Sequence, residues 1–195
     1  MLFLTMACGQ KSKDYLIAYV DATTGEELTG YKNTDGEIII KSKYTNAPDT
    51  LFKMAIVLNS NSEFVCIDRS DKIILKPFIY DNGPDYLEEG LFRFIENDKI
   101  GFANSDGQKI VKANYDFATP FKDGLSEYTL GGHREYEKDG EHWSWTGSYE
   151  TGFINKNGQE FVKVSELNDA GREGWTKDKK HFLLNKNGEV VKTLN

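Results

Sequence analysis

The sequence predicts an all-β fold, an array of about five antiparallel β-hairpin repeats set as an open twisted stack or a propeller-like ring. Two observations predict it. A short unit recurs through most of the 195 residues, and no stretch of helical length carries a sustained apolar period near 3.6. The unit is two apolar residues, then Asn or Asp, two residues, a turn position, and an apolar pair closed by Lys. Its copies are YKNTDGEIIIK from Tyr31, CIDRSDKIILK from Cys66, FANSDGQKIVK from Phe102, FINKNGQEFVK from Phe153 and LLNKNGEVVK from Leu183. The turn positions Gly36, Asp71, Gly107, Gly158 and Gly188 are separated by 35, 36, 51 and 30 residues.

The chain opens with MLFLTMAC and turns polar at once with GQKSKD. That opening resembles the end of a bacterial lipoprotein signal, with Cys8 as the lipidated residue, although Thr5 stands three places before the Cys where that pattern has Leu. Residues 1–14 are therefore expected to be a signal remnant and flexible tether, and 15–195 a single β-repeat domain. A cytoplasmic protein with an apolar N-terminus is the alternative. Cys66, among Phe64, Val65 and Ile67, is expected to be a core residue.

Asp-Gly and Asn-Gly favour the positive φ that tight hairpins demand, and here β-branched and aromatic residues flank them. Each unit is thus a hairpin. The second half of a unit is clearest in NYDFATPFKDGLSEYTL, from Asn114 to Leu130, and IYDNGPDYLEEGLFRFI from Ile79 is its partial counterpart. Tyr80 and Asp81 match Tyr115 and Asp116, and Tyr86 matches Phe121. Weak helical signals near 117–122 and 165–171 predict single turns. Because one hairpin is marginal in water, neighbouring units must bury each other's apolar faces.

The succession of apolar strand, D-x-x-G turn, apolar pair and YDxAxxFxxGL is similar to the WG-repeat (KWG-repeat) family of bacterial proteins, best over Gly101 to Leu125. The Trp-Gly pair of that family stands here as Ile100-Gly101 and Thr151-Gly152. The resemblance implies a repeat architecture with interaction roles and fixes no ligand.

The 51-residue interval marks an inserted long hairpin at 131–152, which holds two of the three Trp. Tyr136, Trp143, Trp145 and Tyr149 are its candidate ligand-binding residues, because rigid aromatic faces stack on sugars or anchor proteins. Cross-strand aromatic pairing gives the same residues a purely structural role. His133, Glu135, Glu137 and His142 lack a metal-binding motif, and the Asn-x-Asp-Gly and Asn-x-Asn-Gly turns at Asn33, Asn104, Asn155 and Asn185 lack the further oxygens of a calcium loop, so neither metal nor other cofactor is expected.

The chain carries 24 Lys and Arg against 31 Asp and Glu, a net charge of -7. Cations so scattered do not form a phosphate-tracking stripe, so nucleic acid is not an expected partner. No nucleophile elbow or phosphate loop is present. The expectation is a non-enzymatic binding or scaffold module of the bacterial cell envelope. It would be lipid-anchored through Cys8, its one route to a membrane, and would contact an unknown protein or glycan. The alternatives are an envelope carbohydrate-binding accessory or enzyme using hairpin 131–152, and a cytoplasmic interaction protein.

Overall fold

The computed structural model describes residues 15–23, 25–138 and 140–194, so Cys8 and the 1–14 segment lie outside the described residues. The domain expected over 15–195 is built as two compact units, one through Ile74 and one from Leu75. Among the described residues there are eighteen strands and no helix, and the strand pairs are antiparallel. The fold is an array of β-hairpins.

The expected single helical turns do not form. Phe117 and Ala118 instead pair with Thr129 and Tyr128 as a short strand, and Pro120 next to it has no N–H for a helical ladder. In the second segment the Ser165 N–H bonds to Glu173 O, and Asn168 and Gly171 bond to each other reciprocally.

The repeat turns share one device. Asn104 Oδ1 accepts hydrogen bonds from the backbone N–H groups of Asp106 and Gln108, both at 3.0 Å. The Asn104 N–H in turn donates to Gln108 O, and Gly107, at φ 78°, donates to Asn104 O. Asn33, Asp68, Asn155 and Asn185 act alike. A further copy of the device, at Asn59, has Ser62 in the positive-φ place, so it has no Gly by which to be recognised.

In the first unit, β1 (Leu16–Asp21), β2 (Leu28–Lys32) and β3 (Ile38–Tyr44) form a meander. Strand β4 (Thr50–Leu51) returns to pair with β1, and β5 (Met54–Leu58) and β6 (Phe64–Asp68) form a hairpin. Tyr31, Ile40, Leu51 and Ile67 make the centre of the core, each contributing about 1.5 to 3 kcal/mol by burial. Cys66 is buried and free, and burial pushes its thiol pKa up to about 12.

Strand β7 (Ile73–Pro77) leads into the second unit, where its end pairs with β8 (Leu91–Glu96). β9 (Lys99–Asn104) and β10 (Lys109–Tyr115) complete that meander. The chain then passes to a second sheet at Asp116: β11 (Phe117–Ala118), β12 (Leu125–Tyr136), β13 (Trp143–Asn155) and β14 (Glu160–Phe161). It passes to a third at Val162: β15 (Lys163–Val164), β16 (Arg172–Trp175), β17 (His181–Leu184) and β18 (Val190–Leu194). Each of these two sheets is opened by a short strand that directly continues the last strand of the sheet before it. Residues 131–152 form the extension of β12 and β13, paired down to Tyr136 opposite Trp143 after one register shift beside Leu130.

Candidate functional site

The segment from Ile79 to Glu88 connects β7 to β8 over an irregular path, and one buried cation fixes it. Arg93 is the single charge in the apolar run LFRFI and is 2% exposed. Its Nε and Nη2 donate to the two carboxylate oxygens of Asp85 at 2.5 and 2.6 Å, and its Nη1 donates to Ala118 O at 2.7 Å. The Phe78 ring lies 4.4 Å from the guanidinium, with Tyr80 and Phe117 at 5.6 and 5.7 Å. A two-pronged pair of this kind, with the third guanidinium nitrogen also donating, is firm, and removing one partner typically costs about 3 to 5 kcal/mol.

Around this post opens a recess of about 750 Å³. It is lined by Tyr80, Pro84, Tyr86, Phe117 and Pro120 together with Asp81 and Glu88. Tyr86 is 87% exposed, whereas Phe121, its sequence match, is a core residue packed 4.7 Å from Phe102. The difference comes from length. Both segments end in the same reciprocal turn, at Glu88 and Leu91 and at Lys122 and Leu125, and counting back from it places Leu87 at the level of Phe121. The segment has one residue more, which takes Tyr86 off that level, and Leu87 is itself 50% exposed, so neither side chain fills the place that Phe121 holds in the core. A second recess of about 730 Å³ shares Glu88, Thr119 and Pro120 with the first. A third, of about 670 Å³, shares Tyr80, Asp81 and Asn82 and is bounded by Glu137, Glu141 and Trp143.

The four aromatics singled out from the sequence are not one platform. Trp143 packs against Tyr80 at 4.9 Å and edge-on to Phe117 at 5.7 Å, and its indole N–H donates to Tyr80 O. The Arg134 guanidinium covers its ring at 4.0 Å. Trp145 stacks on Phe117 at 5.4 Å and 15°, its N–H donating to Gly131 O. Tyr136 is half-exposed beside them, opposite Trp143 in register. Tyr149, however, is the unpaired residue where the register shifts between Leu130 and Gly131, and it stands 78% exposed. Arginine and short-loop packing on indole rings could not be foreseen from β periodicity. A lone charge inside an apolar run, as at Arg93, was the available signal.

Just after the segment, turns meet at Glu89. The Glu89 carboxylate accepts from Gly124 N–H and pairs with Lys156 at 2.9 Å. Burial pushes its pKa up, but the Lys156 and Gly124 hydrogen bonds outweigh that and hold it below the usual carboxylate range. The most displaced groups lie elsewhere, in the core. Burial raises Tyr115, which donates to Glu160 at 2.8 Å, and raises Tyr128 to about 12. Among the described residues no three of His, Cys, Asp and Glu come within reach of one cation.

Residues 30–50, 66–99 and 100–132 match the family model of the WG containing repeat. The chain belongs to the WG-repeat family. No curated protein matches it. In this WG-repeat protein the family's Trp position is held in the best copy by Ile100, which is 3% exposed and therefore packs. The Gly beside it is required by crowding. A Cβ on Gly101 would sit 2.7 Å from Ala113 N and Val111 O and 2.8 Å from the Phe94 ring.

Proposed function

We propose that this WG-repeat protein is a non-enzymatic binding or scaffold module that contacts a protein or glycan, held at the bacterial cell envelope by lipid on Cys8. The observation that carries the binding role is the open recess beside Arg93, where a large exposed aromatic, Tyr86, stands on a segment locked in place by a buried ion pair. Preformed apolar concavities with few polar groups are the usual form of binding sites. Catalytic sites, by contrast, gather strongly displaced titratable groups, and here those groups are the core side chains Tyr31, Tyr44, Tyr115 and Cys66.

Envelope attachment rests on MLFLTMAC. Replacing Cys8 with Ser is expected to move the protein from the membrane to the soluble fraction, and a wild-type protein already soluble would refute the anchor. Capture from envelope extract tests the binding role. Wild type should retain a partner that the Tyr86→Ala variant loses, and equal recovery by both would remove the recess from the reading.

A further inference from the structure

We infer that Asn82 is a self-modifying site, at which the backbone nitrogen of Gly83 closes on the side-chain amide and the ring opens to isoaspartate and aspartate. This stands apart from the binding reading. Asn-Gly occurs three times in the chain, at Asn82, Asn157 and Asn187, and all three Asn residues are exposed. Exposure therefore does not separate them. What separates them is the nitrogen that must attack. Gly158 N–H donates to Asn155 O at 2.9 Å, and Gly188 N–H donates to Asn185 O at 3.0 Å. In both turns the N–H of the reacting Asn is held as well, by Asn155 Oδ1 at 3.1 Å and by Asn185 Oδ1 at 2.9 Å. Gly188 is in addition buried against Gly124, where a Cβ would lie 2.2 Å from Gly124 O. Those hydrogen bonds have to open before the nitrogen can turn on the side chain beside it, and the share of molecules in which they are open scales the rate down.

Asn82 lies in no such turn. It sits in the loop between Ile79 and Pro84, which pair as an isolated bridge. Gly83 N–H donates to nothing among the described residues, and the Asn82 amide is held only by Asp81, Nδ2 to Oδ2 at 3.2 Å. Gly83 also lacks the positive φ of Gly158 and Gly188, and a Cβ built on it meets no atom within 4 Å. With no side chain on the attacking residue and an unclaimed N–H, the loop can bring nitrogen and carbonyl carbon together, which is the main demand of an intramolecular attack. The chemistry balances with water alone. The bond from Gly83 N to Asn82 Cγ forms, the Cγ–Nδ2 bond breaks, and ammonia leaves with the proton that Gly83 N gives up. Water then opens the succinimide, at the Cγ–N bond to aspartate or at the bond from Asn82 C to nitrogen to isoaspartate, in which the main chain runs through Cβ and Cγ. Nothing is oxidised or reduced. Asn82 lines the recess beside Arg93 and also the one bounded by Glu137 and Trp143. Conversion therefore brings a new carboxylate to both, and the isoaspartyl form lengthens the loop by one carbon, so an aged molecule differs from a fresh one at this wall.

The test is to hold the full chain folded in mildly alkaline buffer, digest samples over time and follow each Asn-Gly peptide by mass spectrometry, with enzymatic isoaspartyl methylation to count isoaspartate. Asn82 should convert about tenfold faster than Asn157 or Asn187, the ratio that about 1.4 kcal/mol of activation free energy produces. In guanidinium chloride, where the turns are lost, the three rates should converge to within about threefold. Gly83→Ala should slow conversion of Asn82 about tenfold, because the methyl group crowds the closing ring. That Cβ meets no neighbour, so folding is not at stake. Equal rates at the three sites of the folded chain would overturn the inference. So would the same tenfold order in guanidinium chloride, which would assign it to local sequence instead of the fold. Aspartate formed at Asn82 without isoaspartate, or at an unchanged rate in Gly83→Ala, would show direct hydrolysis in place of ring closure and would overturn it too.

Discussion

The copies that begin at Gly101 and Gly152 have nearly the same sequence pattern, GFANSDGQKIVKANY against GFINKNGQEFVKVSE, and yet their last strands run differently. In the first, Ala103 pairs with Lys109 and Phe102 with Val111, so Ile110 bulges outward, Val111 is buried and the strand continues to the buried Tyr115. In the second, Ile154 pairs with Glu160 and Phe153 with Phe161 without a bulge, Phe161 is fully buried, and the strand leaves its sheet at Val162. The position of Tyr115 is occupied by Glu166, which has nothing to bury. Among the described residues the bulge accompanies Tyr44 and Tyr115 in β3 and β10, and it recurs in β18, where Leu184 pairs with Val190 and Leu183 with Lys192. Where such a tyrosine is present, as with Tyr44 and Tyr115, the strands β3 and β10 have the same sequence of buried and exposed positions.

The comparison can be broken most forcefully at Phe161. Phe161→Ala should cost about 3 to 5 kcal/mol in denaturant unfolding, because the copy without a bulge places its one large buried ring there. Gly101→Ala, which drives a Cβ against the backbone of Ala113 and Val111, should cost about 1 to 3 kcal/mol. By contrast, a Cβ at Gly158 meets no atom within 4 Å, so Gly158→Val is opposed chiefly by φ 77°, an expected loss of about 1 to 2 kcal/mol seen as a lower melting temperature. Ile110→Ala, at the outward bulge, should stay within about 0.5 kcal/mol.

The tyrosine that separates the two copies also gives a pH signature. Burial first, and then the Glu160 hydrogen bond and charge, raise the pKa of Tyr115 above the usual tyrosine value of 10.0, and burial likewise raises Tyr31, Tyr44 and Tyr128. A group whose folded pKa is raised contributes stability that is fully present below the unfolded pKa and is lost as pH climbs toward the folded one. The tyrosine contribution to melting temperature should therefore be level from pH 7 to 9 and fall above about 10. Tyr115→Phe should make that fall shallower, and an unchanged slope would exclude Tyr115 as a contributor.

The sequence reveals the hairpins because their signals are local: Asn104 and Gly107 define a turn within five residues, whatever lies around them. The turn at Asn59 escaped notice because Ser62 takes the positive φ that elsewhere falls to Gly or Asp. The bulges were not legible because turns alike in sequence, at Gly107 and Gly158, lead into a bulged strand in one case and a regular one in the other, which is a property of packing. At the site, Trp143 and Trp145 were visible as candidates. The recess itself was not, since it arises from one additional residue before Glu88 and from a pairing between Arg93 and Asp85 across an irregular segment.

The transfers at Asp116 and Val162 mean that the unit of sequence and the unit of sheet are out of phase. During synthesis from the N-terminus, each new meander in this part of the chain meets an edge already laid down by its predecessor, so pairing is templated rather than searched for. Gene duplication or excision cut at the sequence boundaries would sever two sheets at once. Engineered lengthening of this array should therefore join copies at Asp116 and Val162, where the chain itself changes sheets.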